Sequence, residues 1–304
     1  MTADFTFDSL VYTRPDYQQI IAQADGLTSK VHSAAFYTDV RQAVDTMETL
    51  QQQLSTMTTI AMIRHTLDTR DAYYEEENLF NQTQMPTAMP ALLSFNEALK
   101  RSPFRKELEE AFGPQFFVHM ELQDKTFCEA NIPLMQEEAA LTSEYQKIMA
   151  SSDISLRGRE YNIYGVQKFF EHEDRALRKE AWQAFSGFLQ KHEAEMERIW
   201  DRLITLRNQM AKNLGYDNFI PVGYLQQGRT DYGPEEVAAF RRQVREDLVP
   251  LCEKLYRMQA ERLGVDSLQM YDEKRVFPDG NAVPAGDDDF MIRQARQMYH
   301  DMSP

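Results

Sequence analysis

The segment from Arg175 to Phe219 reads RALRKEAWQAFSGFLQKHEAEMERIWDRLITLRNQMAKNLGYDNF and contains no proline. Its large apolar residues recur at steps of three and four, which places them on one face of a helix. Asp174 is suited to cap the first turn, and Gly215 to end the helix in a left-handed conformation. The pattern predicts one long helix, with Gly187 as the point where it could bend or divide, and the rest of the chain packed against it.

The composition predicts a globular protein with a sizeable core. The chain has 304 residues, of which 42% are hydrophobic and 11% aromatic, enough for one large or two ordinary domains. Its net charge of −15 repels phosphate backbones and anionic lipid surfaces, so we expect no nucleic acid and no membrane as partner. Cys128 and Cys252 lie far apart, which indicates neither a disulfide framework nor a thiolate metal site.

The N-terminal segment MTADFTFDSL lacks the basic and apolar regions of a signal peptide. No run approaches the roughly 20 apolar residues that span a bilayer. Because neither export nor a disulfide framework is indicated, we expect a cytoplasmic protein.

Apolar residues at helical spacing predict further helices on both sides of the central segment. Between residues 71 and 99, Pro86 and Pro90 predict an interrupted helix. A helix that begins at Pro234 carries an apolar stripe as far as Met258, is kinked at Pro250 and ends at Gly264. The segment 220–233 is predicted as a loop. Other helices are expected to begin near Asp16, Thr38, Ser102, Pro133 and the acidic run 287–289.

Residues 154–163 have the only pattern that predicts a pair of strands, joined at Arg157-Gly158-Arg159. The predicted fold class is therefore all-α, with long antiparallel helices in a bundle-like array and one small β-hairpin near 154–163.

Three groups of residues resemble motifs of a known family. They are Asp174-Arg175 with Arg178 and Ala181-Trp182, the pattern LRNxxAKxLGYxNF at 206–219, and Arg262-Leu263-Gly264 with Tyr271-Asp272. Together they resemble the oligoendopeptidase F and thimet-oligopeptidase-like zinc peptidases. The resemblance covers most of the chain and is most specific at 206–219.

This resemblance implies an N-terminal helical lobe at 1–150 and, at 151–304, the first part of an oligopeptidase catalytic region. It implies a zinc-dependent endopeptidase that hydrolyses internal peptide bonds of short peptides in an enclosed channel. Zinc would be the cofactor of the full-length family member. The implied zinc motif is H-E-x-x-H on a helix, where two histidines bind the metal and the glutamate activates water.

The sequence contains no such motif. His172-Glu173 and His192-Glu193 are followed by Ala176 and Met196 where the second histidine would stand. We therefore expect a chain truncated before the zinc motif, with no catalytic residue and no zinc bound by this chain alone. Its partners would be an oligopeptide substrate and the missing C-terminal catalytic portion. The alternative is a helical interaction or scaffold protein derived from a peptidase.

Two histidine–carboxylate pairs leave a further alternative open. His65 with Asp68, and His192 with Glu195, are three residues apart on predicted helices, so a helical metal carrier is possible by spacing alone. For His192 a buried, hydrogen-bonded histidine is the favoured interpretation. No serine or cysteine stands in a nucleophile motif, and there is no glycine-rich phosphate loop.

Aromatic and basic residues of the hairpin and of the segment after residue 219 are candidates for contact with an extended peptide, because irregular backbone can present side chains to a cleft. The strand edge at 154–163 could also pair with a substrate backbone. Ordinary surface and packing aromatics remain the alternative interpretation. The candidate substrate-binding residues are Tyr161, Tyr164, Tyr224, Arg229 and Tyr232.

Overall fold

The computed structural model describes residues 6–303. In this range the protein is almost entirely helical, and the only sheet is one two-stranded antiparallel hairpin. The predicted all-α class with a small hairpin is therefore confirmed. None of the helices in the described range is both long and apolar enough to cross a membrane.

The contacts divide the chain into two compact units. Unit 1 contains the residues up to Ala150 together with His192–Ala238, and unit 2 contains Ser151–Lys191 with the residues from Ala239 onward. The roles predicted for 1–150 and 151–304 remain predictions.

The elements are α1 Tyr17–Ser33, α2 Tyr37–Leu67, α3 Ala72–Lys100, α4 Arg105–Phe112, α5 Gln115–Thr126, α6 Ile132–Ala150, β1 Ile154–Leu156, β2 Arg159–Tyr161, α7 Ile163–Gln167, α8 Arg175–Lys191, α9 Glu193–Asn213, α10 Phe219–Gln226, α11 Pro234–Gln243, α12 Val249–Leu263 and α13 Asp288–Met302.

The core of unit 1 is built around α3, which packs against α1, α2 and α6. Val40, Phe95, Leu99 and Leu108 are among its buried side chains. The predicted cap of α1 is present, since the carboxylate of Asp16 accepts the N–H of Gln19 at 3.0 Å. Helical spacing of apolar residues thus predicted both the helices and the faces that form this core.

The expected interruption of α3 is wrong, because the helix runs continuously through Pro86 and Pro90. A proline inside a helix removes one backbone hydrogen bond. Here α3 is held by neighbours on three sides, and the side chain of Gln136 on α6 donates to the carbonyl of Thr83 at 2.8 Å. Tertiary packing therefore outweighs the local penalty.

The single long helix predicted for 175–214 is also wrong. It is divided at His192 into α8 and α9, and these two helices belong to different units. The division does not fall at Gly187. The predicted ends are correct, because the carboxylate of Asp174 accepts the N–H of Ala176 at 2.9 Å and Gly215 has a φ of +87°. Apolar spacing continues across His192, so the sequence pattern alone could not reveal the break.

The segment after Phe219 differs from the predicted loop. The side-chain oxygen of Asn218 accepts the N–H of Ile220 at 2.9 Å and begins α10, so Tyr224 lies on a helix. The apolar spacing of α6 predicts that Tyr145 faces inward with Leu141 and Ile148, but the structure leaves it exposed. Further on, a π-helical segment at Val244–Leu248 precedes Pro250, whose missing N–H favours such an irregularity.

The hairpin lies where the sequence predicts it, although Arg159, which the sequence pattern predicts in the turn, is the first residue of β2. Its register pairs Ile154 with Tyr161 and Leu156 with Arg159. The two turn residues, Arg157 and Gly158, have φ values of 51° and 78°. Positive φ at both positions is typical of the tight turn that matches the twist of antiparallel strands.

Candidate functional site

The motif at 206–219 forms the end of α9 and the turn into α10. Ala211 is fully buried, and its carbonyl accepts the N–H of Tyr216 at 2.9 Å across the left-handed Gly215. The side-chain oxygen of Asn208 accepts the N–H of Phe219 at 3.2 Å. The most specific part of the motif therefore closes a helix end and starts the next helix.

Charged pairs join α9 to α6 within unit 1. The hydrogen bond from Arg202 lowers the pKa of Glu137, although burial opposes the shift. Because these side chains are partly exposed, each pair adds only a little to stability. The pairs are Arg202 with Glu137 at 2.6 Å, Arg207 with Glu138 at 2.6 Å, and Arg198 with Glu144.

The other motif residues meet in a buried ion-pair centre in unit 2. Asp272 is inaccessible to solvent, and its carboxylate accepts hydrogen bonds from Arg175 at 2.8 and 3.1 Å and from Arg178 at 2.8 Å. The N–H of Gln269 adds a fourth bond at 3.0 Å. Burial alone would raise the pKa of Asp272, but the two arginines and this N–H lower it to about 2.

The surroundings of this centre are also polar and bonded. Arg178 donates further bonds to the carbonyls of His172 at 2.8 Å and of Tyr271 at 3.0 Å. The buried side chain of Gln259 on α12 donates to the backbone carbonyls at 272, 273 and 275. The centre therefore ties α8 to α12 and to the segment after it, and its role is structural.

Of the predicted substrate-binding residues, Tyr224, Arg229 and Tyr232 come together in unit 1. The guanidinium of Arg229 lies 4.4 Å from the ring centroid of Tyr224 and 5.5 Å from that of Tyr232. Such cation–π contacts hold an arginine against two rings. Tyr232 is nearly half exposed.

The other two predicted residues lie in unit 2. Tyr161 ends β2 and packs edge-on against Phe169, with 5.2 Å between ring centroids. Tyr164 lies on α7 and is 78% exposed. Contact of these five residues with a substrate stays a prediction.

Among residues 6–303, no group of three or more His, Cys, Asp or Glu side chains is arranged to hold a metal ion. His65 is buried, and neither of its ring nitrogens has a hydrogen-bond partner within that range. Nδ1 of His192 lies 3.2 Å from a carboxylate oxygen of Glu195. His65, Asp68, His192 and Glu195 therefore do not form the cluster that the metal-carrier alternative requires, and the described residues offer no set of three ligands for a catalytic zinc.

Sequence reasoning singled out Arg175, Arg178 and Asp272 only as parts of motifs and missed that they contact one another. The arginines and the aspartate are more than ninety positions apart. In the sequence, the only connection between the arginines and the aspartate is that all three belong to motifs of the same family.

Comparison with known families agrees with this architecture. Residues 7–127 match the profile of the peptidase M3 N-terminal domain, and residues 169–278 match that of peptidase family M3. The first match lies in unit 1, and the second includes both the 206–219 motif and the Asp272 centre. The chain therefore belongs to peptidase family M3, a family of metallopeptidases.

Solved structures show that the chain is similar to oligoendopeptidase F in particular. The chain is 37% identical to PZ peptidase A, solved with an inhibitor, with a TM-score of 0.95 over 98% of this chain. An oligoendopeptidase F structure is 37% identical with the same TM-score, and another from Bacillus anthracis is 34% identical with a TM-score of 0.94. A comparison with curated proteins gave no significant match.

The chain spans only part of these relatives. It covers 53% of the length of PZ peptidase A and 56% of that of the Bacillus anthracis protein, although nearly all of this chain is aligned. About half of each relative therefore has no counterpart in residues 1–304.

Proposed function

We propose that this chain is the N-terminal part of a cytoplasmic zinc-dependent oligoendopeptidase that hydrolyses internal bonds of short peptides in an enclosed channel. The observation that carries the proposal is the alignment of nearly the whole chain with one half of oligoendopeptidase F structures. The zinc-binding residues then belong to the half that this chain does not span. The chain by itself has no peptidase activity.

Metal analysis and a peptide assay test this proposal. The purified 304-residue chain is expected to contain no stoichiometric zinc and to leave a quenched fluorescent peptide uncleaved. We expect the gene, read on to the length of the relatives, to encode H-E-x-x-H. The longer protein is expected to bind about one zinc per chain and to lose its peptidase activity with a chelator. Stoichiometric zinc with chelator-sensitive turnover in the 304-residue chain would contradict the proposal. A gene without the motif would favour the scaffold alternative.

Exposed apolar side chains on the last helices of the chain support the same proposal. On α11 and α12 the apolar stripe predicted to face inward is exposed, whereas the side chain that α12 buries is the polar Gln259. None of the residues of α13 is buried. The exposed apolar residues are Phe240, Leu248, Val249, Leu251, Leu255, Tyr256 and Met258, followed by Met291, Ile292, Met298, Tyr299 and Met302.

A soluble helix normally buries its apolar stripe and exposes its polar face. Exposed apolar surface of this extent indicates an interaction site. We propose that the exposed apolar faces of α12 and α13 are covered by the half of the peptidase that this chain does not span.

Charged substitutions on α12 test the exposed face. Leu255→Glu is expected to leave the unfolding free energy of the 304-residue chain within about 0.5 kcal/mol, because an exposed side chain loses no packing. It should also lower the binding of a hydrophobic dye. In the longer protein the same change should destabilise the fold by about 2 kcal/mol or more.

Leu177→Glu is the matched control, because Leu177 on α8 is buried in the same unit. It should destabilise the 304-residue chain strongly. If Leu255→Glu is as damaging as Leu177→Glu in this chain, the face is already covered within it and the proposal is wrong.

A further inference from the structure

A groove in unit 1 lies between α6 and α9 and has a volume of about 740 Å³. Trp200 on α9 lines it and is 66% exposed, and Tyr145 on α6 lines it and is 43% exposed. A ligand in the groove can therefore contact both aromatic side chains. Because the face of an aromatic ring is electronegative, it attracts a cation placed over it, and tryptophan does so most strongly.

Two carboxylates of α9 lie beside Trp200. Glu197 and Asp201 also line the groove, and within residues 6–303 neither of them forms an ion pair. Residues three and four positions apart adjoin on a helix surface, so Glu197 lies next to both Trp200 and Asp201. Two like charges at this spacing repel each other, and a cation bound between them would remove that repulsion.

Three arginines of α9 are paired with other residues. Arg198, Arg202 and Arg207 each form an ion pair with a glutamate of α6. Of these three, only Arg207 lines the groove. Almost all of the net charge of −15 lies in unit 1, and a field of this sign attracts cations. The groove therefore favours a cationic ligand over a neutral or an anionic one.

The guanidinium group of arginine combines the properties that this groove requires. It is planar, stacks on aromatic faces and donates parallel hydrogen bonds to carboxylates, whereas a lysine ammonium is a compact point charge. We propose that the groove binds an arginine side chain of a peptide, stacked on Trp200 and paired with Glu197 and Asp201. The inference rests on the proposed peptidase function, which makes peptides the ligand class. It deepens that function by assigning a subsite for basic side chains to α6 and α9.

Nuclear magnetic resonance of the ¹⁵N-labelled indole groups in the 304-residue chain tests the inference. The chain contains two tryptophans, and Trp200→Phe assigns their two indole signals. The probe is Nα-acetyl-argininamide, which should shift the Trp200 signal with a dissociation constant on the order of a few mM. Nα-acetyl-citrullinamide has the same shape without the charge and should bind about fivefold more weakly. Equal affinities for the two compounds, or no shift at saturating argininamide, would overturn the inference.

Trp182 is an internal control for unspecific binding of the probe. It lies on α8 in unit 2 and is stacked on Phe170. Its indole signal should stay in place while that of Trp200 moves. Equal shifts of the two signals would show general binding to aromatic side chains and would contradict a specific groove.

Removing one negative charge at a time tests the two carboxylates. Glu197→Gln and Asp201→Asn are each expected to weaken binding of Nα-acetyl-argininamide by about threefold, because each loses an ionic contact with the probe. Glu193→Gln removes the same charge from an exposed position of α9 outside the lining and should leave the affinity unchanged. Unchanged affinity in both lining variants would refute the role of these carboxylates.

The same titration in the longer protein separates an open groove from one that the missing half covers. The Trp200 signal, again assigned by Trp200→Phe, should shift there as well. Loss of this shift would mean that the groove is an interface within the peptidase, and the inference would be wrong. None of these readouts needs hydrolysis, so the groove and the peptidase proposal can fail separately.

Discussion

Asp272→Asn is expected to lower the free energy of unfolding of unit 2 by about 3 kcal/mol or more. Asp272 is inaccessible to solvent and Arg178 nearly so, whereas Arg175 is partly exposed. Removing one partner of a buried ion pair leaves the other charge uncompensated. In addition, the N–H₂ group of an asparagine would face guanidinium donors instead of accepting from them.

Fluorescence can follow this change in unit 2 alone. Trp182 lies on α8, stacked on Phe170 with 4.5 Å between ring centroids. A Trp200→Phe background removes the other tryptophan, which is exposed. Urea unfolding of Asp272→Asn should then be compared with Asp279→Asn, which removes the same charge from an exposed position. Similar losses of stability in the two variants would contradict a structural role for the buried centre.

The same centre predicts a pH dependence. The pKa of Asp272 is lowered to about 2 in the folded protein, from an ordinary value of 3.8. A carboxyl with a lowered folded pKa stabilises the fold above its unfolded pKa, and this contribution is lost as the pH falls through the folded pKa. The wild-type chain should therefore lose about 2 kcal/mol between pH 4 and pH 2 that Asp272→Asn does not lose. Parallel acid profiles for the two chains would argue against the lowered pKa.

Leu99→Ala is expected to destabilise unit 1 by about 2–5 kcal/mol. Leu99 lies on α3, is fully buried and belongs to an apolar cluster that joins α1, α2 and α3. Truncating a buried leucine removes apolar contacts and leaves a cavity that close-packed neighbours fill only in part.

Leu79→Ala provides the control on the same helix. Leu79 is 43% exposed, so its truncation should change the unfolding free energy by about 0.5 kcal/mol or less. Urea denaturation followed by circular dichroism measures both variants. Equal effects of the two substitutions would place Leu99 outside the core and contradict the assignment of the α3 face.

Some features of the fold could be predicted because they depend on neighbouring residues. The caps at Asp16 and Asp174 and the left-handed ends at Gly215 and Gly264 involve side chains within one helical turn. The hairpin at Arg157-Gly158 is equally local. Such signals are present in a short window of sequence, since the atoms that interact are close along the chain.

Other features could not be predicted because they depend on distant partners. Pro86 and Pro90 read locally as breaks, yet α3 is continuous since three neighbouring helices hold it. The break at His192 is hidden in a regular apolar pattern, because α8 and α9 pack in different units. The apolar stripe through Leu255 reads as a core face, although nothing in the described chain covers it.

By itself the sequence determined the all-α class, the helix ends at Asp16, Asp174, Gly215 and Gly264, the family motifs and the absence of H-E-x-x-H, because each is encoded by residue type at short spacing. Only the tertiary structure decided that Arg175 and Arg178 both donate to Asp272, and that Arg202 and Arg207 on α9 pair with Glu137 and Glu138 on α6. These contacts join residues that are far apart in sequence or lie on separate helices. Their energies depend on burial and on the geometry of neighbours, which a linear pattern does not contain.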